Sequence, residues 1–307
     1  MKDFVSVVMT TYNGERYVCD QMESLRNQTL HPDEVLILDD CSTDGTAESV
    51  EQYIKQYSLD KWKLFRNKEN IGWKRNYKRG LDLASGTYVF PCDQDDIWDE
   101  KKCEIMVSVM QKRPDLAVLA CNYQILFSEK DYGSSAYLRN QRGMRNNGNL
   151  EIRGIHSKWL YVNRPGCTYC LRRSFYEEIR GEWDTEIAHD AILWRYAQMR
   201  HGLGILGLPL VHFRRHGDNA TSRIHKSRDS EILTLKSYLS FVDRALQETR
   251  DEKERQILCR EKSFYEMRIQ MYEANEFRKL PGLLVKHRQD YLTLRGWLAD
   301  FYLMWKG

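Results

Sequence analysis

Residues 89–98 read V-F-P-C-D-Q-D-D-I-W, an apolar run that ends abruptly in three carboxylates, Asp93, Asp95 and Asp96. Four residues of β character, Thr87 to Phe90, come first, after a Ser85-Gly86 break. A buried parallel strand that ends in acids delivers them to the carboxyl edge of a sheet, where open α/β folds bind ligands. Carboxylates this close repel one another. A hard cation among them removes that cost, and oxygen ligands suit Mg²⁺ or Mn²⁺. Such a cation usually also holds a phosphate-bearing substrate. The plainer alternative is a solvated acidic turn with Asp99 capping the next helix.

Two more polar turns follow apolar runs. Thr10-Thr11-Tyr12-Asn13-Gly14 closes the first, and Asp39-Asp40-Cys41-Ser42-Thr43-Asp44-Gly45 closes the second. Adjacent strands that both end in polar turns make a crevice at a switch point of the sheet. Asp40 is suited to accept hydrogen bonds from a base or ribose, and Thr10 or Tyr12 to flank a base ring. No G-x-G-x-x-G follows the first strand and no G-x-x-x-x-G-K-[ST] occurs, which argues against NAD and against a P-loop. Taken alone, S-T-D-G is first of all a good helix cap.

The elements that must position these turns alternate. β-rich runs at 4–9, 34–38, 62–65, 87–90 and 116–121 are separated by helical patterns at 17–27, 42–56, 73–84 and 101–112. That alternation predicts βαβ units, a mostly parallel sheet and right-handed crossovers. Residues 131–154 are polar and predict a long loop that orders over a bound ligand. Beyond it the pattern predicts a short strand near 159–162, helices at 174–179 and 190–200, and a strand near 209–213. From Ser227 onward the chain is strongly helical, broken at Pro281-Gly282.

A length of 307 residues allows about two domains, and a hydrophobic fraction of 42 % provides a core. The net charge of +3 gives no basic field for nucleic acid. No apolar stretch reaches the roughly 18 residues of a membrane span. The N-terminus enters a strand pattern at once, so a cytoplasmic chain without a signal peptide is expected. The eight cysteines fit a reducing compartment. Cys167-Thr168-Tyr169-Cys170 lacks the second cysteine pair of a zinc site and the helix start of a redox motif, so reduced, partly buried thiols are expected.

In this order and at these separations, the elements resemble the inverting family 2 glycosyltransferases of GT-A fold. The resemblance rests on V-S-V-V-M-T-T-Y-N-G at 5–14, L-I-L-D-D-C-S-T-D-G-T at 36–46, N-x-G at 70–72, S-G-T-Y-V at 85–89 and D-Q-D-D-I-W at 93–98. The last motif, with His189-Asp190 and Arg215-His216, looks most like the bacterial rhamnosyltransferase-like branch, which builds surface polysaccharide. The resemblance covers about 1–215, most securely 1–125, and implies a Rossmann-like, mostly parallel sheet flanked by helices over 1–220; the helical C-terminal region over 221–307 departs from the minimal family pattern. It implies a donor that is a UDP- or dTDP-linked sugar and an acceptor that is a glycan, lipid-linked or protein-linked. By position, Asp40 contacts the nucleoside, Asp93 and Asp95 bind the Mn²⁺ or Mg²⁺ that bridges the donor diphosphate, and Asp96 stands beside them. Asp190 matches the general base.

Thr10, Tyr12, Asn13, Asn76, Arg215 and His216 complete the expected donor contacts. Asp190 as a helix cap, Arg75 and Asn76 as a solvated helix face, and Arg214 to His216 as a basic surface turn are the competing structural readings. The apolar and aromatic C-terminal segment, from Leu283 to Trp305 with interspersed Lys and Arg, fits a docked helix, a homo-oligomer contact or peripheral contact with the inner face of a membrane. The alternatives for the whole chain are a sugar-nucleotide nucleotidyltransferase and a non-catalytic nucleotide- or glycan-binding scaffold.

Overall fold

The structure, a computed structural model, describes residues 3–127, 136–217, 227–291 and 293–306. The chain divides into two compact units: Met1–Arg153 with Val162–Gly217, and Gly154–Tyr161 with Asp218–Gly307.

The first unit is a mixed α/β sheet of nine strands. They are β1 (Val5–Thr11), β2 (Glu34–Asp39), β3 (Trp62–Arg66), β4 (Tyr88–Asp93), β5 (Ile97–Trp98), β6 (Val118–Phe127), β7 (Leu150–Arg153), β8 (Tyr169–Arg172) and β9 (Leu203–Arg215). Flanking them are α1 (Val18–Arg26), α2 (Thr46–Gln56), α3 (Trp73–Leu83), α4 (Lys102–Lys112), α5 (Ala136–Arg142), α6 (Arg173–Ile179) and α7 (His189–Met199). The strand order is β3-β2-β1-β4-β8-β6-β9-β5, with β7 also on β9. β1 to β4 are mutually parallel, β8 enters antiparallel between β4 and β6, and β6 runs parallel to β9. Every residue of β1 is buried. That is the pattern of a strand covered on both faces, and it explains the unbroken apolar run. α3 lies so close to the sheet that a Cβ on Gly80 would stand 2.3 Å from Val8 Cγ1.

The sequence reading fails in two places. Residues 131–154 are not one long loop: α5 and β7 lie within them, and 131–135 fall outside the described residues. Leu150–Arg153 pairs antiparallel with β9, and its two middle residues are exposed, so it carries no apolar signature. The strand expected near 159–162 is absent. Its apolar residues are buried by another route: Trp159 and Leu160 sit in a turn of the second unit, where the Trp159 indole donates to Glu261 Oε2 at 2.9 Å.

The second unit is helical, with α8 (Arg228–Glu248), α9 (Glu252–Glu273), α10 (Leu280–His287) and α11 (Leu294–Lys306). Ser227 and Ser230 form a capping box on α8, and Asp251 accepts the Lys253 and Glu254 N–H groups at the start of α9. Arg268 joins Asp300 and Glu231, while the Tyr272 and Tyr291 hydroxyls donate to Asp300. No described helix is long and apolar enough to cross a membrane.

Glu261 is buried, and burial pushes its carboxyl up from 4.5 to about 7, although the Lys158 N–H and Trp159 indole both donate to it. The unfolded chain therefore loses this proton first. The stability held by the protonated form is complete below about 4.5 and is lost as pH rises through about 7. Glu261→Gln removes the titration. Denaturant melts across that window should show wild type losing up to about 3 kcal/mol relative to the Gln variant. Parallel pH curves for the two proteins would exclude the coupling.

Candidate active site

The parallel register brings three strand ends together. Thr11 lies beside Asp39, and Thr10 beside Asp93. The turns after β1, β2 and β4 therefore share one edge of the sheet. Asp93 Oδ1 lies 2.5 Å from the Tyr77 hydroxyl of α3, which is also 2.6 Å from the Cys92 carbonyl. The acid turn is pinned from the far side by β9, because Ile97-Trp98 pairs antiparallel with Val211-His212. Past that pairing, Arg214 donates its backbone N–H to Asp96 Oδ1 at 2.9 Å and its Nε–H to the Asp95 carbonyl at 2.7 Å. Its guanidinium also reaches Asp20 and lies over the Tyr17 ring. His216 Nε2 is 2.7 Å from Asp95 Oδ2, and its ring packs on Tyr17 at 4.7 Å.

The three acids thus divide. Asp95 pairs with His216, at the margin of burial. Asp96 is fully buried, and its Oδ2 has no hydrogen-bond partner. Asp93, Asp96 and Cys167 offer ligand atoms that all lie within 4.8 Å of one another. Burial raises the Asp93 carboxyl to about 6, helped by the charges of Asp95 and Asp190 and opposed by the Tyr77 hydrogen bond. Asp96 is raised much further by burial and then by Asp95 and Asp93. The Cys167 thiol is also pushed well up by burial. A group of acids whose ionisation burial and mutual repulsion oppose this strongly, with one buried carboxylate oxygen lacking an N–H or O–H partner, fits a divalent cation that would favour the charged form. The protonated, buried thiol is a poor ligand as it stands, because metal binding requires thiolate. Cys167 and Cys170 are both free, and they are fully buried where the sequence predicts partial burial.

The β1 and β2 turns hold each other. Asn13, in the left-handed region at φ 46°, donates its N–H to Ser42 Oγ and accepts the Thr43 N–H at 2.8 Å. Gln94, between the acids, clamps Tyr12 by both backbone groups, accepting its N–H at 2.8 Å and donating to its carbonyl at 3.0 Å. A Cβ on Gly14 would fall 2.2 Å from the Gln94 amide, so the glycine makes room for this clamp. The Tyr12 ring stays exposed at the edge, while Thr10 is buried. Asp39 is spent on Thr11 and Ser42. Asp40 accepts from Asn67 at 2.8 Å and from the Ile71 and Gly72 N–H groups at 2.9 Å, and so fixes the N-I-G turn ahead of α3.

One expected donor contact is placed otherwise. Asn76 is fully buried, and its amide donates to the Leu38 carbonyl and accepts from Asn67. It is a strut between α3 and β2, and it does not present its amide to a ligand. Arg75 is exposed and paired with Glu186. Arg214, read as part of a basic surface turn, is committed to the acid turn. Arg215 is buried at the end of β9, 5.7 Å from the Phe213 ring.

Asp190 lies within the first turn of α7, whose N-cap is Ala188, so it is not the cap. Its Oδ1 accepts the Ala191 N–H at 2.7 Å. Burial raises its carboxyl, and its charge is felt at Asp93. Neighbouring His189 is buried, stacks on Tyr77 at 3.8 Å and has no hydrogen-bond partner at either ring nitrogen. Burial holds that imidazole neutral, down to about 3. The Asp190 carboxyl is thus raised, and its charge adds to that of the strand-end acids at Asp93. Sequence reasoning missed Gln94, Tyr77 and Tyr17. The one local sign of the first was a glycine at 14.

The profile of Glycosyl transferase family 2 matches residues 6–180. An uncharacterized glycosyltransferase of Haemophilus influenzae is 28 % identical over 230 residues, covering 74 % of this chain and 70 % of its own length. Among solved structures, S. aureus TarS 1-349 in complex with UDP-GlcNAc superposes with TM-score 0.67 at 18 % identity, over 92 % of this chain and 79 % of that one. The mannosyltransferase PcManGT of Pyrobaculum calidifontis, in complex with GDP-Man and Mn²⁺, gives 0.60 at 14 %, over 100 % and 88 %. These neighbours share the GT-A fold with the first unit's mixed sheet.

Proposed function

The chain belongs to glycosyl transferase family 2, and from that premise we propose that it moves a sugar from a nucleotide-sugar to an acceptor hydroxyl with inversion, assisted by a divalent cation. The observation that carries this reading is the convergence of the β1, β2 and β4 ends on one sheet edge, where the acid turn of Asp93 to Asp96 is held by Tyr77, Arg214 and His216. Asp190 takes the proton of the acceptor hydroxyl as the new C–O bond forms. Attack from the face opposite the departing diphosphate inverts the anomeric centre, and no covalent enzyme intermediate is needed.

Asp93 and Asp95 are the residues that would hold Mn²⁺ or Mg²⁺, since both lie nearer the surface than Asp96. When bound, the cation offsets charge that develops on the leaving diphosphate. His216 and Arg214 keep Asp95 in place, and Tyr77 does so for Asp93. The base and ribose lie over the β1 and β2 turns, against Tyr12, Thr10 and Asn13. Asp40 uses three of its roughly four acceptor sites on the protein, which leaves one for the nucleoside. Arg215 balances charge on the diphosphate side. The solved neighbours named for UDP-GlcNAc and GDP-Man support a nucleotide-sugar donor. The product belongs to cell-surface polysaccharide or glycoconjugate, made in the cytoplasm. The eight free cysteines agree with a reducing compartment.

The test is a panel of UDP-, dTDP- and GDP-sugars, scored for nucleotide release with Mn²⁺, with Mg²⁺ and with chelator. One donor should release nucleotide about tenfold or more faster with metal than with chelator, a modest share of what a Lewis-acid cation contributes. Release from no donor, or equal release in chelator, would remove the metal-dependent transferase reading.

A further inference from the structure

α11 is apolar on two sides. Leu303 and Met304 are buried, with Asp300 between the helices on Arg268, Tyr272 and Tyr291, so one side is docked within its own unit. A second stripe, Leu294, Leu298, Phe301, Tyr302 and Trp305, falls at i, i+4, i+7, i+8 and i+11 and is exposed, Trp305 by 75 %. Scattered exposed leucines need no explanation, but a continuous aromatic stripe at helical spacing marks a contact surface.

The charges around it choose the partner. Over the described side chains of residues 276–305, the exposed charged groups are Arg278, Lys279, Lys286, Arg288, Arg295 and one acid, Glu276. Glu276 is ion-paired with Lys279. Asp290 and Asp300 are turned inward, on Arg260 and His287 and on Arg268 respectively. A second copy would therefore oppose cations with cations and find no free acid on this segment to receive them. An anionic phospholipid surface supplies the missing complement. Trp and Tyr settle at headgroup depth, and each basic residue near such a surface adds to the attraction.

We propose that α11 lies in the interface of an anionic membrane, with its Leu294-to-Trp305 stripe among the acyl chains and the neighbouring cations of α10 and α11 on the headgroups. This would keep the enzyme at a surface where lipid-carried acceptors reside. It does not depend on which sugar is transferred.

The experiment is co-sedimentation of the full chain with vesicles of phosphatidylcholine alone and of phosphatidylcholine mixed with phosphatidylglycerol. Partitioning should be about tenfold or more stronger on the anionic vesicles and should fall with added salt. Leu298→Glu with Trp305→Glu should return binding to the level on phosphatidylcholine alone. Both positions are exposed, so the melting temperature should not change, and that measurement guards against misfolding. Arg288→Glu with Arg295→Glu should weaken anionic binding without touching the apolar stripe. Equal binding to both vesicle types, or unaltered binding by the Leu298/Trp305 pair, would overturn the proposal. So would sedimentation velocity that shows a dimer which this pair dissolves, because the stripe would then belong to a second copy.

Discussion

Asp190→Asn is expected to fold, to bind the donor with wild-type affinity and to lose nearly all transfer, by about 10²–10⁴-fold. Asn retains the oxygen that accepts the Ala191 N–H in the first turn of α7, but it cannot take a proton. The sign of the stability change follows from the raised carboxyl of Asp190. A group with a raised folded pKa contributes its stability in the protonated form and loses it as pH rises through that pKa. At neutral pH wild type bears the cost of a partly buried charge that the Asn variant does not. The variant's melting temperature should therefore match or exceed that of wild type. The same shift sets the acid limb of the rate: transfer should fall as pH drops through the Asp190 pKa, and this limb should vanish from the residual rate of the Asn variant. Transfer within a few-fold of wild type would leave Asp190 a first-turn helix residue and the base elsewhere.

The sequence made the parallel half of the sheet and the acid turn readable for physical reasons. β1, β2 and β4 are covered on both faces, so each is an apolar run that stops where the chain emerges at the ligand edge. What it hid are contacts between distant residues. The bond from His216 to Asp95 spans 121 positions, and the Gln94 clamp on Tyr12 spans 82. Asn76 looked like a ligand group because it is polar and follows a glycine turn. Only the packing of α3 on β2 reveals that its amide is needed by the Leu38 carbonyl. β7 escaped notice because a strand with its middle residues in solvent has no periodic apolar signal. The acid triplet was legible as a cluster, but its division was not. Which oxygen meets His216 and which is buried beside Cys167 depends on where β9 and the Gly166–Thr168 turn come to rest.

That division makes Asp95→Asn the sharpest test of the metal assignment. Ala at this position would remove the carboxylate that meets the buried His216 Nε2, and removing the partner of a buried polar group costs about 1–3 kcal/mol. Lost binding could then reflect lost structure. Asn keeps the shape and a hydrogen-bonding partner for the imidazole, and removes only the charge. If Asp93 and Asp95 hold the cation, the Asn variant should lose the metal-dependent part of donor affinity while its affinity in chelator stays at the wild-type value. A Lewis-acid cation contributes several kcal/mol at a developing phosphate charge. At about 1.4 kcal/mol per tenfold, nucleotide release should fall by about 10²-fold or more. Calorimetry with Mn²⁺ and nucleotide separates this from a second outcome. The ligand atoms of Asp93, Asp96 and Cys167 also lie within 4.8 Å of one another. Should Asp95→Asn retain metal-stimulated binding while Cys167→Ala abolishes it, the cation belongs in that deeper group, and Asp95 serves to hold His216. The raised thiol argues against this, because a buried Cys167 would first have to release its proton. Metal affinity at such a site would climb with pH far above neutrality, whereas a site made of Asp93 and Asp95 would reach its full affinity once pH passes the Asp93 value of about 6.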